Sequence, residues 1–197
     1  MSTSSNWPHS FKQIDEKNWT ESAITGLWPN MTEDIWVNSH LKSQLDANVP
    51  QDIAGLFEVA RGTIIYGWFF YPLLSVGMGR CFVVLETAVR KRCEQLNIPL
   101  TKELKKGRTI DRSFAELLND LKTQGVISAS DCSRWDAGRE LRNAVSHPER
   151  QTLVMPGMSL DILAITAELI NALFKNVLKQ ALLEQNKEPN ESAGECL

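Results

Sequence analysis

Leu160-Asp161-Ile162-Leu163-Ala164-Ile165-Thr166-Ala167-Glu168-Leu169-Ile170 is the stretch that decides the fold class. Leu160, Leu163, Ala167, Ile170, Phe174, Val177 and Ala181 recur at intervals of three and four. That spacing lines one side of an α-helix and does not fit the two-residue alternation of a half-buried strand. It predicts a helix from about Leu160 to Glu184 that turns an apolar stripe to a core. Outward from it, Gln151 to Met158, with Pro156 and Gly157, reads as a connector. Trp135, Leu141 and Val145 give a partial apolar face to a helix starting near Ser130. Pro148 disfavours helical geometry at His147, so that helix should end there. Phe114, Leu117, Leu118 and Leu121 predict a further helix from about Arg112 to Thr123, stopped by Gly125.

The N-terminal half continues the pattern. Pro72 suits the first turn of a long helix reaching about Leu96 and ending before Asn97-Ile98-Pro99. Thr101 to Asp111 reads as a basic loop carrying Gly107. Gln51 to about Arg61 is helical, and Thr32 is the expected N-cap of a helix through about Ala47, with Glu33 and Asp34 in its first turn. Trp7, Trp19, Trp28 and Trp36 punctuate a polar stretch, the signature of a segment strapped onto a core. Thr63 to Gly79 carries no charge and approaches a membrane span in length. Gly67, Pro72, Gly77 and Gly79 interrupt it and Arg80 follows directly, so it reads as a core-filling turn leading into a buried helix. No strand and no internal repeat stands out. The expected fold is all-α, a bundle of four to five core helices spanning 71–185. An N-terminal helical extension over 1–70 packs on it, and 186–197 forms a polar, disordered tail.

The chain has 197 residues, enough for one well-buried domain, and a formal net charge of -3, which excludes a polycation. Charge is nonetheless uneven. Arg80 to Arg112 holds nine Lys/Arg against four Asp/Glu, whereas the first fifty residues and those after Arg150 each hold three against six. A basic middle fits either a local polyanion site or a solvated loop. Cys81, Cys93, Cys132 and Cys196 show neither close pairing nor metal-ligand spacing. The Ser/Thr-rich N-terminus has no leader-like apolar core. The expectation is a reducing, cytoplasmic setting with no metal or cofactor. Walker, dinucleotide, paired-histidine zinc and serine-elbow motifs are absent. Gly77-Met78-Gly79 lacks the third glycine of a phosphate loop.

Chemistry concentrates in Leu141-Arg142-Asn143-Ala144-Val145-Ser146-His147-Pro148. Arg139, Arg142, Asn143 and Ser146 share a helix face. His147 turns out beside them at the helix end. Arg binds phosphate oxygens through a planar fork, and His titrates near neutral pH. The plainer reading is an Arg paired with Glu140 or Glu149 and a surface His before a proline. Cys132 with His147 could form a nucleophile pair, or Cys132 could be an ordinary helix thiol.

The order of elements resembles the HEPN domain superfamily. It runs from Leu85-Glu86-Thr87-Ala88-Val89-Arg90, through Ser113-Phe114-Ala115-Glu116-Leu117-Leu118 with Gly125-Val126-Ile127-Ser128, to Trp135, Leu141–Pro148 and a final amphipathic helix. The resemblance covers roughly Tyr71 to Leu183. It implies a four- or five-helix bundle, a homodimer, and metal-independent endoribonuclease activity of the kind found in toxin–antitoxin, phage-defence and RNA-processing systems. It implies Arg142 and His147 as the catalytic pair with Asn143 in support; helix geometry adds Ser146. Glu149 stands where one toxin subgroup carries Tyr. Arg139, Lys105, Lys106 and Arg108 are the expected RNA-backbone contacts. A cognate antitoxin or system partner would be expected, and no membrane. The alternative is a catalytically inactive helical module that binds RNA or a partner protein; a third reading is a purely structural bundle.

Overall fold

A computed structural model describes residues 21–104, 107–146 and 154–175, with the backbone alone described at 21–23 and 139–146. The described residues form seven helices and one small hairpin, so the class is all-α. In order these are α1 (Glu21–Leu27), α2 (Glu33–Leu41), α3 (Gln51–Tyr66), α4 (Leu73–Gln95), β1 (Thr101–Leu104), β2 (Arg108–Asp111), α5 (Phe114–Thr123), α6 (Ala129–Ser146) and α7 (Pro156–Phe174).

Local chemistry sets most of these ends. The Thr32 hydroxyl accepts from the Ile35 amide at 3.3 Å and caps α2. Ser113 and Glu116 form a reciprocal capping box that starts α5. Gly125, at φ 70°, ends α5 in the left-handed region, and the Val126 amide bonds the Leu121 carbonyl at 2.9 Å.

Four expectations need correction. Thr101–Asp111 is an antiparallel hairpin, with Thr101 opposite Asp111 and Leu104 opposite Arg108. Gly107, at φ 72°, supplies the left-handed residue that a three-residue hairpin connection requires. Each strand is four residues long and carries one large apolar side chain, too little for a legible alternation. The hairpin is held at its base instead: Lys102 bonds Glu116 at 2.5 Å, Arg112 bonds Asp120 at 2.6 Å, and the Arg112 amide bonds the Leu100 carbonyl at 2.8 Å.

The second correction is α2, which stops at Leu41 rather than near Ala47. Hydrogen bonds to α7 in both directions claim the segment that follows. Asn171 accepts from the Asp46 amide at 2.8 Å and donates to the Gln44 carbonyl at 3.0 Å, while Asn48 donates to the Phe174 carbonyl at 2.8 Å. Third, α3 continues past Arg61 to Tyr66. Fourth, Pro156 is not in a connector but opens α7, where its missing N–H costs nothing. The expected continuation of α7 to Glu184, the tail, Trp7 and Trp19 lie outside the described residues.

The core is organised around α4. Its most extensive packing is with α3, then α7, and it also touches α5 and α6. Trp36, Trp135, Phe57 and Phe174 are among the largest fully buried side chains. Trp36 is buried, and its indole donates to the Ile65 carbonyl at 2.9 Å. Trp68, in the uncharged stretch, is buried in the α3–α4 corner. α7, with 19 residues and mean hydropathy 1.5, is long and apolar enough to cross a membrane. Here Leu163, Ala167, Ile170 and Phe174 of its stripe are core.

Two glycines make opposite predictions. A Cβ on Gly77 would fall 2.4 Å from Ile64 Cγ1 and 3.0 Å from the Ile64 amide, whereas one on Gly55 would meet nothing within 4 Å. Gly77→Ala should therefore cost about 1–3 kcal/mol through overpacking. Gly55→Ala, in the exposed interior of α3, should add roughly 0.5–1 kcal/mol. Urea titrations of the two variants should move in opposite directions.

Candidate functional site

Arg139, Arg142, Asn143 and Ser146 all stand on α6, and Ser146 is its last residue. The helix starts at a polar turn: the Ser128 hydroxyl accepts from the Asp131 amide at 3.2 Å and donates to the Asp131 carboxylate at 2.6 Å. Three contacts then fix its position. Trp135 is 2% exposed. Lys122 on α5 bonds Asp136 at 3.0 Å. Arg134 pairs with Glu168 on α7. Gly138 passes close to α4, since a Cβ there would lie 3.7 Å from Leu85 Cδ1.

This anchoring revises how the faces of α6 are read. At 100° per residue, position 142 lies about 20° around the helix from position 135. Arg142, with Arg139 and Ser146, therefore continues the line of buried Trp135 instead of occupying a separate face. Leu141 and Val145 continue the line of Arg134 and Gly138, which borders α4 and α7. Glu140 stands about 160° around the helix from Arg142, because residues two apart do not face each other. It is badly placed as the partner in the plainer reading of Arg142.

The side chains of Arg139, Arg142, Asn143 and Ser146 are outside the described atoms, and His147, Lys105, Lys106 and Glu149 are outside the described residues. Arg108 is exposed on β2, a separate element whose strands pair chiefly with each other. The structure thus gathers four of the named positions on one helix end and sets Arg108 on the hairpin. The chain re-enters description at Val154, whose carbonyl accepts from the Tyr71 hydroxyl. That bond ties the chain just ahead of α7 to the α3–α4 corner. Burial pushes the Tyr71 hydroxyl up from its ordinary range, against the opposing effect of the bond to Val154.

Among the described residues, two hollows border α6. One, of about 270 Å³, is lined by residues of the α5–α6 turn, Trp135 and the C-terminal end of α7. The other, of about 130 Å³, is an apolar groove between Phe82 and Leu85 of α4, Ala137 and Gly138 of α6, and Ile162 and Ile165 of α7. Among the described residues, no three His, Cys, Asp or Glu side chains gather as a metal could require. Compared with protein-family models, curated proteins and solved structures, the chain matches none.

Sequence reading did not single out His40 or Asn171, which prove to be buried or bridging polar groups. Their only signal was a polar residue recurring within an apolar pattern. The thiols separate clearly. Cys132 stands near the start of α6, about 21 Å by helix rise from Ser146, and His147, the other half of the expected pair, lies outside the described residues. Burial pushes Cys81 up to about 12. Burial, then the charge of Asp120, pushes Cys93 up to about 11. Thiolates are the reactive form, so neither should react near neutral pH. In a Cys196→Ser background, iodoacetamide should modify Cys132 on the native protein, and Cys81 and Cys93 only after denaturation. Mass spectrometry showing Cys81 modified as fast as Cys132 would contradict this burial.

Proposed function

We propose that this chain is a metal-independent endoribonuclease of HEPN type, with Arg142 and His147 as its catalytic pair. The observation that supports the reading is that Arg142, Asn143 and Ser146 stand close together on the last described turns of α6. Pro148 disfavours helical geometry at His147, so the expected helix end would bring that titratable group beside the fixed cation of Arg142. RNA is cleaved by its own 2′-hydroxyl, leaving a cyclic phosphate and a free 5′-hydroxyl. His147 moves the proton. Arg142 stabilises charge developing on the phosphate oxygens. Asn143 and Ser146 support the pair, and Arg139, Lys105, Lys106 and Arg108 meet the RNA backbone. The proposed setting is a cytoplasmic toxin or phage-defence effector, held in check by an antitoxin or system partner. A second copy of the chain completes the site: two-fold contact around the end of α6 doubles the inventory to two Arg and two His in one cleft.

Purified protein should cut single-stranded RNA in EDTA. Arg142→Ala and His147→Ala should each lose that activity while keeping the helical circular-dichroism spectrum of the parent. Activity that needs added metal, or that survives both substitutions, would return the chain to the non-catalytic binding module. Replacing Lys105, Lys106 and Arg108 together with Gln should weaken RNA binding and flatten its salt dependence. An unchanged salt slope would leave the hairpin tip as a solvated surface. Light scattering at tens of micromolar should give a dimer; a monomer that cleaves RNA in first order with its own concentration would exclude the composite site.

A further inference from the structure

His40, in the last turn of α2, is a fully buried titratable group that the proposed chemistry does not use. Its Nδ1 lies 2.7 Å from the Trp36 carbonyl, and its Nε2 lies 3.4 Å from the Ser159 hydroxyl in the first turn of α7. A carbonyl only accepts, so Nδ1 carries the hydrogen and donates to Trp36. In the neutral ring Nε2 is then an acceptor, and Ser159 is the donor it faces. The Ser159 hydroxyl also lies 2.7 Å from the Pro156 carbonyl, so its hydrogen is shared. The imidazole packs on the Trp36 ring, centroids 4.1 Å apart.

We propose that α2 and residues 42–49 form an acid-releasable strap on α7, held shut by neutral His40. The strap is tied down by few groups: Trp36 to Ile65, His40 to Ser159, Asn171 to Gln44 and Asp46, Asn48 to Phe174, and Arg61 to the Ser43 carbonyl at 3.0 Å. α2 packs far less extensively on α3 and α7 than those helices pack on α4, so release of the strap would expose Trp36 while leaving the α3–α4 and α4–α7 contacts in place.

Among the described residues, a proton on His40 would place a cation where no counter-charge meets it. On α2, Glu33 and Asp34 are exposed in the opposite, first turn. Lys42 and Asp46 of the strap are exposed. On α3, Arg61 pairs with Glu58. On α7, Asp161 is exposed and Glu168 pairs with Arg134. Among the described residues none forms an ion pair with His40. Burying an unpaired ion costs several kcal/mol. A cation–π contact with Trp36 returns only about 0.5–2 kcal/mol. Burial wins, and it lowers the His40 pKa, against the raising effect of the Trp36 carbonyl. The closed strap thus binds fewer protons than the open one, so closure weakens as pH falls below the ordinary histidine value of about 6.5.

Hydrogen exchange on the full chain, followed by mass spectrometry at pH 7.5 and 5.5 and corrected for intrinsic rates, tests this. Peptides covering 33–49 should lose protection by up to about tenfold at the lower pH, the most that one proton on a group of ordinary pKa about 6.5 can supply over this range, while those covering α4 keep theirs. His40→Gln should abolish the pH response of the strap. A variant carrying His9→Gln and His147→Gln should retain it. If His40→Gln does not fold, the His40 imidazole resonance of the wild type should titrate together with strap exchange. Strap protection that is indifferent to pH, or that is lost together with that of α4, or that depends on His9 or His147, would overturn the proposal.

Discussion

Gly77 lets α4 lie against Ile64 and the Ala60 carbonyl of α3 with no room for one more carbon. The same closeness recurs at the corner, where a Cβ on Gly67 would fall 2.4 Å from Leu74 Cδ2 and 2.7 Å from the Ile64 carbonyl. Interiors are packed as densely as organic crystals, so a single added methyl group forces helices apart or side chains off their rotamers. The α3–α4 pair is the frame on which α5, α6 and α7 are laid, since each of those helices packs on α4. The position of α6, and with it Arg142, is thus set by contacts several helical turns from the candidate site.

A second constraint is the need of backbone groups for partners. Beyond Leu41 the chain leaves helical geometry, yet its carbonyls and amides do not go unanswered. Asn171 and Arg61 supply hydrogen bonds that a longer α2 would have made internally, and Asn48 adds one from the segment to the Phe174 carbonyl of α7. Each of these clasps contributes only about 0.5–1.5 kcal/mol net, so burial of Trp36 is the larger part of what holds the strap down. His40 fits this arrangement as the one clasp whose strength responds to protons.

Much of the fold was legible because periodicity and caps are local signals. The α7 stripe, Ser113 with Glu116, Gly125 and Thr32 each announced themselves within a few residues. The hairpin did not, because its stability comes from Lys102 with Glu116 and Arg112 with Asp120, pairings that cross between elements. The early end of α2 was hidden for the same reason: Asn171 lies 125 residues from the amide it holds. Pro156 was ambiguous in principle, since proline opens helices as readily as it interrupts connectors. The candidate site was legible as a motif; His147 and Pro148, where its helix was expected to end, lie outside the described residues. The orientation of that helix was not legible. Grouping Trp135 with Leu141 and Val145 assigned Arg142 to a separate face, whereas buried Trp135 fixes the rotation of α6 and sets Arg142 in its own line.

That rotation bears on what Arg142 can be. Removing a buried Trp costs about 3–5 kcal/mol, so α6 is not free to turn about its axis to suit a surface ion pair. Two turns beyond Trp135, the Arg142 position continues the line of that buried ring, and the Glu140 position is on the far side of the helix. Because α6 cannot rotate without lifting Trp135 from the core, any group that meets Arg142 has to approach along that line rather than along the line of Glu140.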